Sequence, residues 1–161
     1  MNSKLSASSG FVLVEALVAI AILSVVVAFG MSALLVSIRS SLGNGTQMQA
    51  TFLAEEGLEA ARVMRDDGWS TIASHASGTP FFIGFTGSTW QATSSNASID
   101  NLFARTITVY DVYRDSNQDI VSSGGTIDND TKKITVTVSW RSSSGTTTRS
   151  LSTYLTNVFN N

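Results

Sequence analysis

The sequence predicts an α+β protein in which a helical N-terminal region packs against a small antiparallel β-sheet. Residues 11–38 form an apolar run whose single charge is Glu15. Residues 50–65 are rich in helix-forming side chains. Residues 132–141 alternate between apolar and polar side chains, the period of a half-buried strand. Helical patterns therefore occupy the first part of the chain, and strand patterns occupy the rest.

Composition excludes several classes of function. The chain has 161 residues, a net charge of −2 and no cysteine, so it holds no disulfide and no thiolate metal site. Its acidic pI, near 5.2, argues against binding to nucleic acid, which favours a basic face. His75 is the one imidazole, and it lies in a loop-like stretch without a candidate partner. We interpret it as a surface histidine rather than a general base, and we do not expect an enzyme.

The apolar run is long enough to cross a membrane. As a helix, residues 11–38 rise about 42 Å, and the hydrocarbon core of a bilayer is about 30 Å thick. The run exceeds the apolar region of an ordinary secretory signal, which has about 7–15 residues. Lys4 precedes it and Arg39 follows it. The short basic N-terminus favours an orientation with the N-terminus inside and the C-terminus outside.

Glu15 is the unusual residue of this run. A carboxylate deep in lipid costs on the order of 3 kcal/mol, so an acid within a membrane segment suggests a function. A structural interpretation is also available, because residues 16–38 alone are long enough to span the bilayer and Glu15 would then mark the inner interface.

The residues around Glu15 carry a family resemblance. They read Ser-Ser-Gly-Phe-Val-Leu-Val-Glu-Ala-Leu-Val-Ala-Ile over positions 8–20. This stretch resembles the processing site of type IV prepilins and pseudopilins, which have a short polar leader ending in Gly, then an aromatic residue or Met, and Glu as the fifth residue of the mature chain. Gly10, Phe11 and Glu15 match that pattern. Val12 departs from it, because the family usually has Thr there.

The resemblance implies a maturation pathway and a set of partners. A prepilin peptidase would remove leader 1–10 by cleavage after Gly10, and the new N-terminus of Phe11 would be methylated. Segment 11–38 would then be a membrane helix of the inner membrane and later the core helix of a filament. The partners implied are the peptidase, other pilin or pseudopilin subunits, an inner-membrane assembly platform and, before assembly, membrane lipid.

Glu15 has a specific role in this scheme. The amine of Phe11 is a cation at the membrane edge, and Glu15 of a neighbouring subunit would pair with it in the filament core. A charge pair in a low-dielectric medium is strong, and leaving either partner alone is costly. We expect this assembly ion pair to set the register between subunits.

A rival interpretation places the cleavage elsewhere. Ala28-Phe29-Gly30 before Met31 loosely fits a signal-peptidase site, and Lys4 would then belong to the basic region of a secretory signal. That cleavage would release a soluble domain. Glu15 inside the apolar region of such a signal argues against it.

The segment 39–68 is predicted to form an amphipathic stalk helix. Residues at helical spacing form an apolar stripe along one face of this helix: Leu53, Gly57, Ala60, Ala61 and Met64. Phe52 and Val63 are predicted to widen the stripe. Asp66-Asp67-Gly68 is predicted to end the helix. The family resemblance favours one long helix over about 11–66, whereas Gly43 and Gly45 together cost about 2 kcal/mol within it. Whether the helix kinks or breaks at these two glycines stays an open question.

Residues 69–161 are predicted to form a β-rich head. Residues 70–98 are expected to be loops with one or two short strands. Strands are predicted at 102–114, with Phe103, Ile107 and Val109 on one face, at 132–141 and at about 146–156. Residues 142–145 are predicted to form a hairpin turn. The result would be an antiparallel sheet of three or four strands, as in pilin heads.

One loop has the oxygen spacing of a calcium site. Asp115, Asn117 and Asp119 occupy alternate positions, as hard oxygen ligands do around Ca²⁺. Ile120 and Thr126 stand where an EF-hand needs Gly and Glu, so an EF-hand is excluded. Some pseudopilins bind calcium in a comparable loop. The simpler interpretation is a solvated turn, because Asp and Asn favour turns. No other cofactor is expected.

Three functions follow, in order of preference. The first is a structural subunit of a type IV pilus or a pilus-like pseudopilus. The second is a minor or tip pilin, or a membrane-anchored binding module, whose head contacts a surface, an exported cargo or DNA. The third is a membrane-anchored enzyme, and against it stands the lack of any nucleophile–base pair or metal-ligand set in the sequence.

Overall fold

The computed structural model describes residues 6–95, 98–142 and 145–159. The chain divides into two compact units, Met1–Gly45 and Thr46–Asn161. Its first element, α1, is a helix over Ser6–Asp67. Residues 43–46 are helical, so the two glycines of this segment do not break the helix.

In the first unit, the described side chains from Gly10 to Ser41 are all exposed to solvent. Ser24 donates its hydroxyl hydrogen to the carbonyl oxygen of Ile20 over 2.7 Å, and Ser32 donates to Ala28 over 3.0 Å. Both hydroxyls are thus satisfied within the helix, as an apolar surrounding requires. The helix is long and apolar enough to cross a membrane, with a mean hydropathy of 2.8 in its most apolar part.

The second unit contains the end of α1, a short helix and six strands. The short helix, α2, covers Ser70–Ala73. The strands are β1 (Pro80–Thr86), β2 (Thr89–Thr93), β3 (Phe103–Arg114), β4 (Ile120–Val121), β5 (Thr126–Ser142) and β6 (Gly145–Thr156). They form one antiparallel sheet in the order β2-β1-β3-β5-β6, and β4 pairs with β3 beside this path. The α+β prediction is therefore confirmed.

Small side chains bring the end of α1 close to the sheet. The buried positions of this helix face recur at helical spacing and are Ala50, Ala54, Gly57, Ala60, Ala61 and Met64. A Cβ atom added at Gly57 would lie 2.7 Å from Cγ1 of Val136 on β5. The helix and sheet backbones approach each other there as closely as glycine allows.

The predicted inner faces of the main strands are confirmed. Phe103, Ile107 and Val109 on β3 are buried, as are Ile134, Val136, Val138 and Trp140 on β5. The helix ends at Asp67, as predicted from the Asp-Asp-Gly sequence. Ser142 pairs with Gly145 in the predicted hairpin, whereas Ser143 and Ser144 lie outside the described residues.

Two predictions were wrong. The sheet has six strands rather than three or four, because β1 and β2 both join it beside β3 and β4 adds a short pair. β5 also begins six residues earlier than expected. Phe52 and Val63 do not widen the buried stripe: their exposed fractions are 59% and 37%. In the sequence, Phe52 is two residues away from both Ala50 and Ala54. This separation turns the Phe52 side chain to the side of the helix opposite these buried alanines.

Candidate functional site

The predicted processing residues lie on α1 within the first unit. Gly10 is exposed, and a Cβ atom added there would meet nothing within 4 Å. The fold of the isolated chain therefore does not require glycine at position 10. Phe11 follows with 72% of its surface exposed.

Glu15 lies in a shallow groove on one face of the same helix. Its lining residues recur at helical spacing and are Phe11, Val14, Glu15, Val18, Ala19 and Ile22. Glu15 is the only charged residue among them. In the described part of the chain, no cationic side chain forms an ion pair with it. The groove is thus an apolar surface with a single carboxylate.

The structure places Arg105 between α1 and the sheet, a role that the sequence analysis missed. Arg105 Nη1 lies 3.0 Å from Oε2 of Glu56 and donates to the carbonyl oxygen of Leu53 over 3.0 Å. The guanidinium also lies over the Trp90 ring, 5.2 Å from its centroid. A sequence signal for this was present, because Arg105 shares the inward phase of Phe103 and Ile107 on β3.

The candidate calcium residues form a tight turn between β3 and β4. Oδ1 of Asp115 accepts the backbone N–H of Asn117 over 2.9 Å and that of Asp119 over 3.0 Å. Arg114 Nη1 donates to the carbonyl oxygen of Gln118 over 2.7 Å. One carboxylate oxygen of Asp115 therefore holds the turn closed, in agreement with the simpler interpretation. Calcium binding at this loop stays a prediction.

Acidic and imidazole side chains do not cluster in the described part of the chain. Among residues 6–95, 98–142 and 145–159, no three His, Cys, Asp or Glu side chains lie together in a way that would hold a metal ion. The calcium prediction rests on the oxygen atoms of Asp115, Asn117 and Asp119 alone.

An ion pair joins the two long strands beside this turn. Arg114 Nε donates to Oδ2 of Asp128 over 2.6 Å. This hydrogen bond, together with a smaller contribution from Thr131, holds the pKa of the Asp128 carboxyl below its usual range. The pair links β3 to the first part of β5 and holds Asp128 ionised at neutral pH.

His75 packs against an aromatic ring at the start of the sheet. Its imidazole stacks on Phe81 with ring centroids 3.7 Å apart. Partial burial lowers the pKa of His75, and a hydrogen bond with the backbone of Thr71 opposes that effect. His75 is thus half-buried against Phe81 rather than a freely exposed surface histidine.

Similarity to known proteins was sought at the levels of family, sequence and fold. No protein-family model, no curated protein and no solved structure matches this chain.

Proposed function

We propose that this chain is a structural subunit of a type IV pilus or a pilus-like pseudopilus. One observation carries the proposal: Gly10, Phe11 and Glu15 keep the prepilin spacing at the start of an apolar helix whose described side chains are exposed over Gly10–Ser41. An apolar helix that leaves these side chains uncovered needs lipid or other helices around it. Membrane insertion followed by filament assembly supplies both surroundings in turn.

The proposed pathway assigns a task to each site residue. Prepilin peptidase cuts after Gly10, and the amine of Phe11 is methylated. The subunit then resides in the inner membrane, with its N-terminus inside and its head outside, until the assembly platform transfers it to the filament. There the Phe11 amine pairs with Glu15 of a neighbouring subunit, and the groove around Glu15 packs against that subunit's helix.

The N-terminus of the mature protein tests this proposal. The chain is expressed in a host with an active prepilin peptidase, and the membrane-bound product is analysed by N-terminal sequencing and mass spectrometry. We expect Phe11 as the first residue, carrying one methyl group. A Gly10→Val variant should keep its leader, because a branched side chain does not fit the tight path of the backbone in the protease. A mature chain that begins at Met31 would contradict the proposal.

A minor or tip subunit is the second candidate, and the surface of the head favours it. Three tyrosines on the head expose 40–48% of their surface, and exposed tyrosines are typical of binding surfaces. The two functions differ in abundance: a main structural subunit should dominate sheared filaments, and a tip subunit should be scarce in them.

A further inference from the structure

The outer face of the sheet is the face turned away from α1. Tyr110 on β3 pairs with Lys133 on β5, and Lys133 pairs in turn with Tyr154 on β6. Directly paired residues of antiparallel strands point to the same side of a sheet, with Cβ atoms about 5 Å apart. The buried neighbour Ile134 points inward, so all three side chains project outward. We call Tyr110, Lys133 and Tyr154 the tyrosine row.

The tyrosine row borders an open groove. Tyr110 and Tyr154 are 41% and 48% exposed, and Tyr113 and Val121 extend the groove along β3 and β4. Tyrosine rings combine an apolar face with a polar hydroxyl, and such amphipathic rings are typical of binding surfaces. The groove therefore combines aromatic and aliphatic side chains with polar groups.

Lys133 supplies a positive charge in this groove. Across the described part of the chain, no carboxylate forms an ion pair with Lys133. Asp111 also lines the groove, but its Oδ1 is held by Lys132 Nζ at 2.6 Å. The free ammonium group thus favours an anionic ligand.

Two rows of hydroxyl groups continue the outer face beyond the tyrosine row. They follow along the strands at intervals of about 7 Å, and we call them the hydroxyl rows: Thr135 and Ser152, then Thr106, Thr137 and Ser150. Thr135 lies 2.9 Å from Ser152 and Thr137 lies 2.9 Å from Ser150, oxygen to oxygen. Each hydroxyl can donate and accept, so the rows match a ligand that is itself rich in hydroxyl groups.

We propose that the outer face binds an anionic polysaccharide whose sugars carry carboxylates. The tyrosine rings stack on the C–H faces of the sugar rings, Lys133 donates to a carboxylate, and the hydroxyl rows exchange hydrogen bonds with the sugar hydroxyls. Exposed tyrosine rings, a lysine without an ion pair among the described residues and a hydroxyl-rich surface occur together on this face. The site lies in the head alone, so it does not depend on processing after Gly10 or on filament assembly.

Binding of the full chain to polygalacturonate tests the proposal. The chain is held in detergent micelles and passed over immobilised polygalacturonate, with uncharged dextran as the comparison. We expect saturable binding to polygalacturonate that weakens with added salt, because the contact with Lys133 is exposed, and no comparable binding to dextran. Tyr110→Thr and Tyr154→Thr, which keep a strand-forming residue, should each raise Kd about tenfold.

The charge contribution has a matched control. Lys133→Gln should raise Kd about fivefold. Arg141→Gln removes a positive charge from the outer face of the same strand, at the end distant from the tyrosine row, and should leave Kd unchanged. Thermal unfolding followed by circular dichroism establishes that each variant folds. If Tyr110→Thr or Tyr154→Thr does not fold, the Lys133→Gln variant still tests the proposal, because it leaves both tyrosines in place.

Four results would overturn the proposal. They are absence of binding to polygalacturonate, equal binding to dextran, equal weakening by Lys133→Gln and Arg141→Gln, and unchanged binding in a folded threonine variant. A second copy of the chain is the competing occupant of this face. Self-association that the tyrosine variants abolish, without binding of the native chain to polygalacturonate, would assign the face to that copy.

Discussion

Gly57 limits the approach of α1 to the sheet. Within the helix, replacing glycine with alanine normally gains about 1 kcal/mol of helix propensity. Here the added Cβ would lie 2.7 Å from Val136 Cγ1 and 3.0 Å from Arg105 Cδ. Val136 is fully buried and cannot move aside without disturbing the core, so the steric cost outweighs the gain in propensity.

We therefore expect Gly57→Ala to lower the free energy of unfolding of the head by about 1 kcal/mol, and Gly57→Val by about 3 kcal/mol. The measurement is chemical denaturation of the detergent-solubilised chain, followed by tryptophan fluorescence. Gly45→Ala is the matched control, since a Cβ atom there meets nothing within 4 Å and should cause no loss. A Gly57→Ala head as stable as the native one would contradict this account of the contact.

The Arg114–Asp128 pair predicts a dependence of stability on pH. The folded protein holds the pKa of Asp128 below its unfolded value of 3.8. The stabilisation that ionised Asp128 provides is therefore complete above the unfolded pKa. It is lost as the pH falls through the lower pKa of the folded protein. Asp128→Asn should lower the free energy of unfolding at pH 7 by about 1 kcal/mol, since the pair is partly open to water. The difference from the native chain should shrink below pH 4.

Melting temperatures at a series of pH values check this prediction. Asp130→Asn is the control, because Asp130 is exposed and its side chain forms no ion pair within the described residues. That variant should track the native chain at every pH. A constant gap between Asp128→Asn and the native chain down to the lowest pH would show that ionisation of Asp128 does not stabilise the fold.

At the scale of elements, the alternation of apolar and polar residues predicted the strands that bury one face. Residues 134, 136, 138 and 140 are the inward positions of β5, and their apolar side chains identified the strand and its phase. The start of β5 gave no such signal, because Asp128, Asn129 and Asp130 are typical of turns. This part is held in the sheet by partners distant in sequence, Val112 opposite Asp128 and Tyr113 opposite Ile127. A bulge between Asp111 and Val112 adjusts the register.

The helix face shows a second limit of sequence patterns. Hydropathy favoured Phe52 for the core, but the buried positions on this face are mostly alanine and glycine. Their small size is what permits close contact with the sheet. A pattern of small residues at helical spacing, rather than large apolar ones, was therefore the informative signal for which face of α1 is buried.

At the scale of the whole molecule, the two candidate sites differ in how far the sequence could predict them. Gly10, Phe11 and Glu15 are local, so their spacing is visible in the sequence. The tyrosine row joins three strands, and it exists only because the registers of β3, β5 and β6 align Tyr110, Lys133 and Tyr154. No local pattern specifies that alignment. Predicting it requires the pairing of all three strands.

Glu15 offers the test that concerns assembly itself. In lipid or in a filament core, an unpaired carboxylate is penalised, and so is an unpaired Phe11 amine. Glu15→Val relieves the first penalty and leaves the second. In the proposed pathway, we expect the variant to insert and to be cleaved after Gly10 to the same extent as the native chain. Its incorporation into filaments beside native subunits should fall about tenfold, which corresponds to about 1.4 kcal/mol per joint.

The measurement is the ratio of variant to native subunits in sheared filaments, set against their ratio in membranes. Glu55→Val is the matched control: the same substitution on an exposed position of α1 in the second unit, where Glu55 forms no ion pair within the described residues. It should enter filaments at the native ratio. Because both variants lose one carboxylate and gain one valine, a deficit confined to Glu15→Val would assign the effect to the position of the charge. Equal incorporation of Glu15→Val and the native chain would refute the role of Glu15 in setting the register between subunits.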